Sequence, residues 1–477
     1  MTKYDPSRAV EPLFYRAPHP QEVTPYEYQL AGVEYHLARD HALFGDEPGL
    51  GKSAECVLVG NTINAQRTLV ICPASLRLNW EREVRAWSTI PRVETYPVLS
   101  AKDGISPTAH YVITSYSMLQ NKDILAAILA LRWDHLILDE AHALKDPKGN
   151  RRTKAICGGM TKGVYHEGVE SVVGRITMAS GTILPNQPIE CYNAIRLLDW
   201  DAIDRASLAD FREHYYEMGE GFVTRHGKPE WSNRVRNVPC NLGDLQTRLR
   251  KCLMVRRLKA QVLHELPPKQ WHLFPLEATG DMKAALEHEG WGVVAKMWEL
   301  NPNHFEGDTP IDGAVSTARR LLGEAKAPAV ADYARELLRS GVQKLVIAAW
   351  HHSVLDYLRE ELKEYGVAYM DGSTSAVARQ REVDRFQTLA DYRVILGQAG
   401  PLGEGWNLHA AQDVLLAEPD WVPGRNDQIL DRTHRIGQTG SYVIGHVPVV
   451  PGTLDERILS RAVEKDRSIY EALDNTT

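Results

Sequence analysis

The sequence lacks the features of a secreted or membrane-spanning protein. Its six cysteines are scattered, with no Cys-x-x-Cys pair, which argues against a disulfide framework or zinc site and predicts free thiols in a reducing compartment. No apolar run reaches about 18 residues, the length of a membrane span, and the opening residues lack the apolar core of a signal peptide. We therefore expect a cytoplasmic protein with no membrane partner.

The sequence also has fewer positively than negatively charged residues. The chain has 55 Lys and Arg against 62 Asp and Glu, a net charge of −7. Proteins that coat nucleic acid without specificity are usually basic, so this balance counts against simple coating. It does not exclude a basic groove on an acidic body, because total charge does not locate a patch. At 477 residues, with 43% hydrophobic and 25% charged residues, the chain has ordinary globular composition and the length of two or three domains.

Short apolar runs recur in both halves of the chain and predict an α/β fold. Runs of this kind, bounded by polar or turn residues, are typical of strands buried on both faces of a parallel sheet, and helical patterns alternate with them. Residues 190–265 and 277–325 between the halves have mainly helical patterns. The predicted strands are TLVICP from 68, YVITSY from 111, HLILDE from 135, RITMAS from 175, KLVIAAW from 344, VAYMDG from 367, YRVILG from 392, DVLLAEP from 413 and YVIGHVPVV from 442.

Two of the predicted helices have serines at their starts. Ser75 is placed to cap the helix in SLRLNWEREVRAW, and Ser353 to cap the helix in SVLDYLREELKEYG, which Gly366 would end. The segment from Thr161, TKGVYHEGVESVVG, has the look of an insertion and is compatible with a hairpin.

A glycine-rich stretch, GDEPGLGKSAE from Gly45, is suited to hold phosphate. Gly49 and Gly51 would let backbone N–H groups surround phosphate oxygens, Lys52 would reach the β and γ phosphates, and Ser53 would ligate Mg²⁺. The full eight-residue pattern begins with glycine, and here Asp46 has that place. The alternative is a glycine turn before an ordinary helix.

Two acids end the apolar run LILDEAHALK. At a strand's carboxyl end, where ligands of open α/β sheets bind, Asp139 would hold Mg²⁺ through water and Glu140 would orient or deprotonate an attacking water. Paired acids at a strand end are also common as a solvated loop start. Together with the glycine-rich stretch, they favour ATP and Mg²⁺ as cofactors.

The motifs together resemble those of Swi/Snf-type superfamily-two, DEAH-box ATPases, from about Pro25 to about Ile458. The stretches are PYEYQLAGVEYHL, LVICPASLRLNWERE, ITSYSML, LDEAHALKDPKGNRRTKA, SGTILPNQPIE, DGSTSAVARQREVDRF and AEPDWVPGRNDQILDRTHRIGQ. LMVRRLKAQVLHELPPK and RRLLGEAKAPAVADYARELL resemble the HepA-related annealing helicase branch, without its accessory domains. The resemblance implies two RecA-like parallel-sheet lobes with helical insertions and a C-terminal helix.

The resemblance also implies roles for single residues. Gln29 would lie against the adenine base. In the coupling motif, usually Thr-Gly-Thr-Pro, Ser180 replaces the first threonine and Ile183 the proline. Gln398 stands where the family usually has serine or threonine, and we assign no strand contact there.

The final motif, NDQILDRTHRIGQTG, contains two arginines beside a histidine. By resemblance, Arg432 and Arg435 reach from the second lobe to the γ-phosphate and stabilise the charge that spreads over its oxygens during transfer, and Gln428 joins them. Taken alone, the motif is more typical of an amphipathic helix with two solvated arginines, and the other motifs favour the phosphate contact.

The tryptophans Trp80, Trp87 and Trp406 allow two interpretations. They could stack on bases, but packing within a lobe is the more frequent role of such side chains.

The expected organisation is an N-terminal tail at 1–20, an ATP-binding lobe at 21–190, helical insertions and linker at 191–325, a second lobe at 326–460, and a C-terminal helix and tail at 461–477. The expected function is that of a DNA-dependent ATPase that moves along double-stranded DNA, remodelling or re-annealing it, as a monomer. The alternatives are a strand-separating helicase and an ATP-gated switch that binds DNA or protein without processive movement. Compactness and the lack of a basic localisation run favour a bacterial or phage-encoded protein over a nuclear one.

Overall fold

The computed structural model describes residues 5–456 except 15, 162, 182, 184–186, 226–227, 278–279, 281–312, 404, 421–422, 452 and 454. Within these residues the chain divides into two compact units, the first formed by 5–215 and 241–265 and the second by 216–240 and 266–456. Three predicted features lie wholly or partly outside the described residues: the C-terminal helix, part of the helical region at 277–325, and part of the coupling motif.

A parallel sheet of seven strands forms the centre of the described part of the first unit. Its order is β11-β1-β8-β5-β2-β4-β3, and every neighbouring pair is parallel. The strands are β1 (His41–Phe44), β2 (Thr68–Cys72), β3 (Thr95–Pro97), β4 (Tyr111–Ser115), β5 (Trp133–Asp139), β8 (Val173–Ala179) and β11 (Met254–Val255).

Helices and one small hairpin complete the first unit. The helices are α1 (Glu27–Leu37), α2 (Lys52–Thr62), α3 (Arg77–Trp87), α4 (Lys122–Leu129), α5 (Arg151–Cys157), α6 (Tyr192–Asp199), α7 (Leu208–Tyr215), α8 (Leu242–Cys252) and α9 (Lys259–Val262). The hairpin pairs β6 (Gly159–Thr161) with β7 (Val164–His166), as the insertion pattern from Thr161 allowed.

A second parallel sheet lies in the second unit. Its described strands follow the order β12-β17-β16-β13-β15-β14, and each neighbouring pair is parallel. Alternate residues of β13 enter two different buried clusters, Val346 and Ala348 in one and Leu345 and Ile347 in the other. Since side chains alternate along a strand, both faces of this sheet are covered. The strands are β12 (Lys269–Pro275), β13 (Leu345–Ala349), β14 (Val367–Met370), β15 (Val394–Gln398), β16 (Asp413–Leu416) and β17 (Val443–Val449).

The helices of the second unit include a long one with a proline inside it, Pro328. An antiparallel hairpin, β9 (Tyr216–Arg225) with β10 (Lys228–Pro239), also belongs to this unit. The described helices are α10 (Gly313–Arg339), α11 (His352–Glu361), α12 (Ala376–Thr388), α13 (Ala399–Gly403) and α14 (Pro423–Leu430). Within the described residues, no helix combines the length and apolar character that crossing a membrane requires.

The predicted strands are confirmed, but the predicted caps are wrong. The helix after β2 begins at Arg77 with Leu76 at its N-cap, because a 3₁₀ turn that includes Ser75 comes first. His351 is the N-cap of α11, and the Ser353 hydroxyl donates to Glu324 instead. Within residues 190–265, where mainly helical patterns were predicted, the described residues also form the β9–β10 hairpin.

Candidate nucleotide site

The glycine-rich stretch and the acidic pair meet at one edge of the first sheet. Both β1 and β5 border β8, and Phe44 and Asp139 pair with the same residue, Ala179. Because the strands are parallel, the loop that follows Phe44 and the acids that end β5 leave the sheet at its carboxyl edge, where open α/β sheets bind ligands. The topology therefore brings together two motifs that are far apart in the sequence.

The loop after β1 has the backbone of a phosphate cradle. Gly49 and Gly51 have φ angles of 93° and 77°, in the left-handed region that glycine enters without a steric penalty. Gly51 is the N-cap of α2, so this helix begins at Lys52 and extends for 11 residues. The helix start directs unpaired N–H groups and the positive end of the helix dipole at the cradle.

Lys52 folds back onto this loop. Its ammonium group donates to the carbonyl oxygens of Asp46 at 2.7 Å and Glu47 at 3.2 Å. Burial lowers the pKa of Lys52, and the negative charge of Glu140 is the largest of the carboxylate effects that oppose this change. Lys52 is thus held where an incoming phosphate could replace two carbonyl oxygens as its hydrogen-bond partners.

Asp139 is oriented by three neighbours. One carboxylate oxygen accepts from Trp80 Nε1 at 2.8 Å and the other from the backbone N–H of Glu140 at 3.0 Å, while the Tyr116 hydroxyl donates to the backbone carbonyl of Asp139 at 2.8 Å. Burial and then the charge of Glu140 raise the pKa of Asp139 to about 6. The role of Trp80 had no signal in the sequence, because α3 positions it from a different part of the chain.

Glu140 has a backbone conformation that is uncommon for a residue with a side chain. Its φ angle is 51°, and such conformations are concentrated at functional sites. Its carboxylate lies 3.2 Å from His142 Nδ1, which is also 3.4 Å from the hydroxyl of Ser180. His142 therefore links the acidic pair to the start of the coupling motif, whose Ser180 N–H donates to the Phe44 carbonyl at 3.1 Å.

Gln29 contacts the same loop. Only 2% of this residue is exposed. Its side-chain amide donates to the Leu50 carbonyl at 3.2 Å and accepts from the Tyr26 N–H at 2.9 Å, and the Tyr28 hydroxyl donates to the same carbonyl at 2.9 Å. This geometry links α1 to the phosphate loop, and the contact of Gln29 with an adenine base stays a prediction.

The predicted Mg²⁺ ligands fit that ion chemically. Ser53 lies in the first turn of α2, the helix that follows β1. Asp139 ends β5, which is two strands away from β1 in the same sheet. A hydroxyl and a carboxylate are hard oxygen donors of the kind that Mg²⁺ prefers. Burial and the charge of Glu140 raise the pKa of Asp139 although Lys52 opposes them, so a divalent cation beside the two carboxylates would favour their charged forms.

The two arginines of the last motif lie in the second unit, in the turns that follow a short helix. Helix α14 ends at Leu430 and contains Gln428, whereas Arg432 and Arg435 occupy the turns that follow. Arg432 is 5% exposed, its carbonyl accepts from the Leu408 N–H at 2.9 Å, and Arg435 Nη1 donates to the Trp406 carbonyl at 2.8 Å. The alternative of two solvated arginines on an amphipathic helix is therefore wrong.

The tryptophans pack within their own units. Trp80 and Trp406 are 1% and 2% exposed, Trp406 Nε1 donates to the Pro401 carbonyl at 2.8 Å, and Trp87 packs against the first core. The packing interpretation is confirmed for all three.

A phosphate loop and an acidic strand end on a parallel sheet, with a second parallel sheet in the same chain, define the helicase-like ATPase class. The SNF2-related domain model matches residues 28–287, and the Helicase conserved C-terminal domain model matches residues 329–437. The chain belongs to the SNF2 family of ATPases, which confirms the Swi/Snf-type resemblance.

Curated relatives match almost the whole chain. It is 28% identical over 453 residues to the "SWI/SNF-related matrix-associated actin-dependent regulator of chromatin subfamily A-like protein 1" of Xenopus tropicalis, covering 93% of this chain and 44% of that protein. It is also 28% identical over 438 residues to the human "DNA annealing helicase and endonuclease ZRANB3", covering 90% of this chain and 38% of that protein. The chain thus spans less than half the length of these relatives.

A solved structure with similarity to the chain is the "Sulfolobus solfataricus SWI2/SNF2 ATPase core in complex with dsDNA". The sequence identity is 18%, the TM-score is 0.43, and the match covers 97% of this chain and 100% of that one.

Proposed function

We propose that this protein is a DNA-dependent ATPase that moves along double-stranded DNA and remodels or re-anneals it. The observation that carries the proposal is the meeting of the phosphate loop, Gly49–Ser53, with Asp139 and Glu140 at one sheet edge in an SNF2-family chain. One relative is titled a DNA annealing helicase and another a SWI/SNF-related regulator of chromatin, and both titles are compatible with this proposal.

In the proposed reaction, the loop amides and Lys52 bind the β and γ phosphates of ATP. Ser53 and Asp139 hold Mg²⁺, which supplies charge neutralisation at the phosphates when bound. Trp80 and the Glu140 N–H fix the Asp139 carboxylate for that task. Glu140 orients the attacking water, and His142 fixes the Glu140 carboxylate.

Arg432 and Arg435 complete the proposed reaction from the second unit. Charge spreads over the γ-phosphoryl oxygens as the bond to the leaving group breaks, and guanidinium groups stabilise it. Arginines supplied by the second unit would make hydrolysis depend on closure of the two units around ATP. Repeated closure and opening would then step the protein along DNA.

Two other functions make different use of the same residues. A strand-separating helicase would unwind a forked duplex, and an ATP-gated switch would bind DNA or a protein without repeated stepping. The residues for turnover at both ends of the chain favour a motor over a switch.

ATPase activity measured without nucleic acid, with single strands, with duplex and with forks separates these possibilities. We expect duplex DNA to stimulate turnover most, with little dependence on sequence. Stimulation by no nucleic acid at all would favour the switch, and robust unwinding of a long forked duplex would favour the helicase.

A further inference from the structure

The start of the phosphate loop is bordered by a segment that comes some 200 residues later in the sequence, Leu253–Lys259, here called the strap. The N–H groups of Leu43, Gly45 and Glu47 donate to carbonyls of the strap at 2.7, 2.8 and 3.1 Å. The acceptors are, in the same order, Leu253, Val255 and Arg257. The pairing of β1 with β11 thus continues past the end of both strands, and the strap fixes the backbone with which the loop begins.

Side chains of the strap add ionic contacts to this pairing. Arg257 donates from Nε to an Asp46 oxygen at 3.0 Å, and its Nη2 donates to the other Asp46 oxygen and, at 2.6 Å, to Glu55. All three side chains are completely buried. A bidentate arginine contact of this kind is directional as well as strong.

The two carboxylates that Arg257 bridges lie at the two ends of the phosphate cradle. Asp46 precedes the glycines, and Glu55 lies in the first turn of α2. Because the Arg257 guanidinium binds both Asp46 and Glu55, it fixes the distance between the two ends of the loop from the buried side. Arg257 also donates to the Tyr28 carbonyl, next to Gln29.

Arg256 makes a second link from the strap. Its Nη1 donates to the Gly45 carbonyl at 2.6 Å and to the Gly181 carbonyl at 3.1 Å. A Cβ on Gly181 would lie 2.7 Å from Pro48 and 3.0 Å from the Asp46 carbonyl. The coupling motif therefore packs directly on the phosphate loop, and Arg256 binds the two backbones together.

We propose that Arg257 is a positioning residue of the ATP site, which presets the phosphate loop for nucleotide by bridging Asp46 and Glu55 while the strap holds the backbone of the loop. This role rests on the proposed ATPase function. Arg257 contacts no phosphate, since it lies on the buried side of the loop, and acts through Asp46, Glu55 and the loop backbone. The ionic contact between Arg257 and Asp46 explains why an aspartate occupies the first position of the loop pattern, where glycine was expected.

Two variants disturb the bridge in different ways. Arg257→Met removes the guanidinium, whereas Gly32→Ala retains every charge but places a Cβ 2.4 Å from Glu55 Oε1 and 2.7 Å from Arg257 Nη2. The matched controls are Arg175→Met, since Arg175 lies near the amino end of β8 and donates to carbonyls of His36 and Arg39, and Gly243→Ala in α8, where a Cβ meets nothing within 4 Å.

The readout is the dissociation constant of a fluorescent ATP analogue, measured without DNA, beside the melting temperature. We expect Arg257→Met and Gly32→Ala to weaken binding by about tenfold or more, a change equal to about 1.4 kcal/mol, and the controls to bind within threefold of the parent. Binding within threefold by a folded Gly32→Ala or Arg257→Met protein would overturn the proposal.

Amide hydrogen exchange on the unaltered protein gives a second test that needs no variant. Without nucleotide, the N–H groups of Gly45 and Glu47 should exchange as slowly as those of β1, since the strap accepts from them. Fast exchange at both would overturn the role of the strap. A parent protein that binds no ATP would instead refute the proposed function, so the two failures are distinguishable.

Discussion

The buried acidic pair of the first unit has electrostatic consequences for the stability of the fold. Asp139 is buried beside Glu140, and these two effects raise the pKa of Asp139 to about 6, above the value of about 3.9 in an unfolded chain. The folded protein therefore binds a proton at Asp139 more readily than the unfolded chain does. The resulting loss of stability is absent below the unfolded pKa, develops between the two values, and is complete above pH 6.

Asp139→Asn should consequently stabilise the protein in the absence of Mg²⁺ and nucleotide. The expected gain at pH 8 is about 1–3 kcal/mol, and it should shrink as the pH falls from 6 to 4. Thermal unfolding of both proteins across this pH range measures it. Turnover should be lost in the same variant, and an asparagine protein that is less stable than the parent at pH 8 would contradict the assignment.

The two chemical roles in the first unit are separable by substitution. Lys52→Ala should weaken ATP binding, because it removes the ammonium group that meets the phosphates. Glu140→Gln should leave ATP bound and nearly stop turnover, because it removes the group that orients water. Nucleotide binding and steady-state ATPase assays distinguish them, with Lys122→Ala on the exposed face of α4 as the control. Near-parental hydrolysis by Glu140→Gln would show that another residue orients the water.

The arginines of the second unit should act mainly in the transition state. Either Arg432→Ala or Arg435→Ala should leave nucleotide affinity within a few-fold and lower kcat by roughly 10³-fold or more. Arg359→Ala, on the exposed side of α11, is the control. A rise in KM with kcat unchanged would mean that the two arginines only bind ATP.

At the scale of elements, the β6–β7 hairpin is an addition that the sheet does not need. Met160, Val164 and Tyr165 are more than half exposed. The hairpin also begins and ends at nearly the same place, since a Cβ on Gly168 would lie 2.1 Å from the Gly158 nitrogen. The residues between these glycines are therefore removable without stretching the chain.

Replacing residues 159–166 by two glycines should change the melting temperature by no more than about 3 °C. Gly168→Ala should do more damage than the whole deletion, because the added carbon overlaps backbone atoms that are unable to move aside. Heat denaturation of the two variants compares them directly. The reverse order would mean that the hairpin contributes to the core of the first unit.

Element positions were predictable where the sequence carried a continuous signal. The apolar runs that contain the strands beginning at Thr68, Leu345 and Val443 are examples. Their strands were predictable because parallel strands buried on both faces require continuous apolar runs. The exact helix starts were not predictable, because a 3₁₀ turn and a competing contact with Glu324 displaced the serines.

The motifs of the candidate site were predictable from the sequence, but the residues that hold these motifs in place were not. The loop glycines, Lys52 and the acidic pair have fixed local spacing, and the parallel sheet does bring them together. Trp80 and Arg257 reach the site only through tertiary structure, so nothing near them in the sequence indicates their partners.

For the whole molecule, the net charge of −7 means that the proposed contact with DNA has to be local. A grip on the phosphate backbone reads charge and shape and depends little on base sequence. If the grip is local, few phosphates are neutralised, and the logarithm of DNA affinity should fall against the logarithm of salt concentration with a slope of about −3 to −6. Titrations at several salt concentrations measure this slope, and a value near zero would exclude a backbone grip.

If ATP hydrolysis moves this protein along duplex DNA, the moving protein should displace the third strand of a DNA triplex. We expect ATP-dependent displacement by the parent, none by Glu140→Gln or Arg432→Ala, and little unwinding of a plain forked duplex. A third strand that stays in place while duplex DNA stimulates ATP hydrolysis would rule out movement along the duplex and favour a DNA-binding switch.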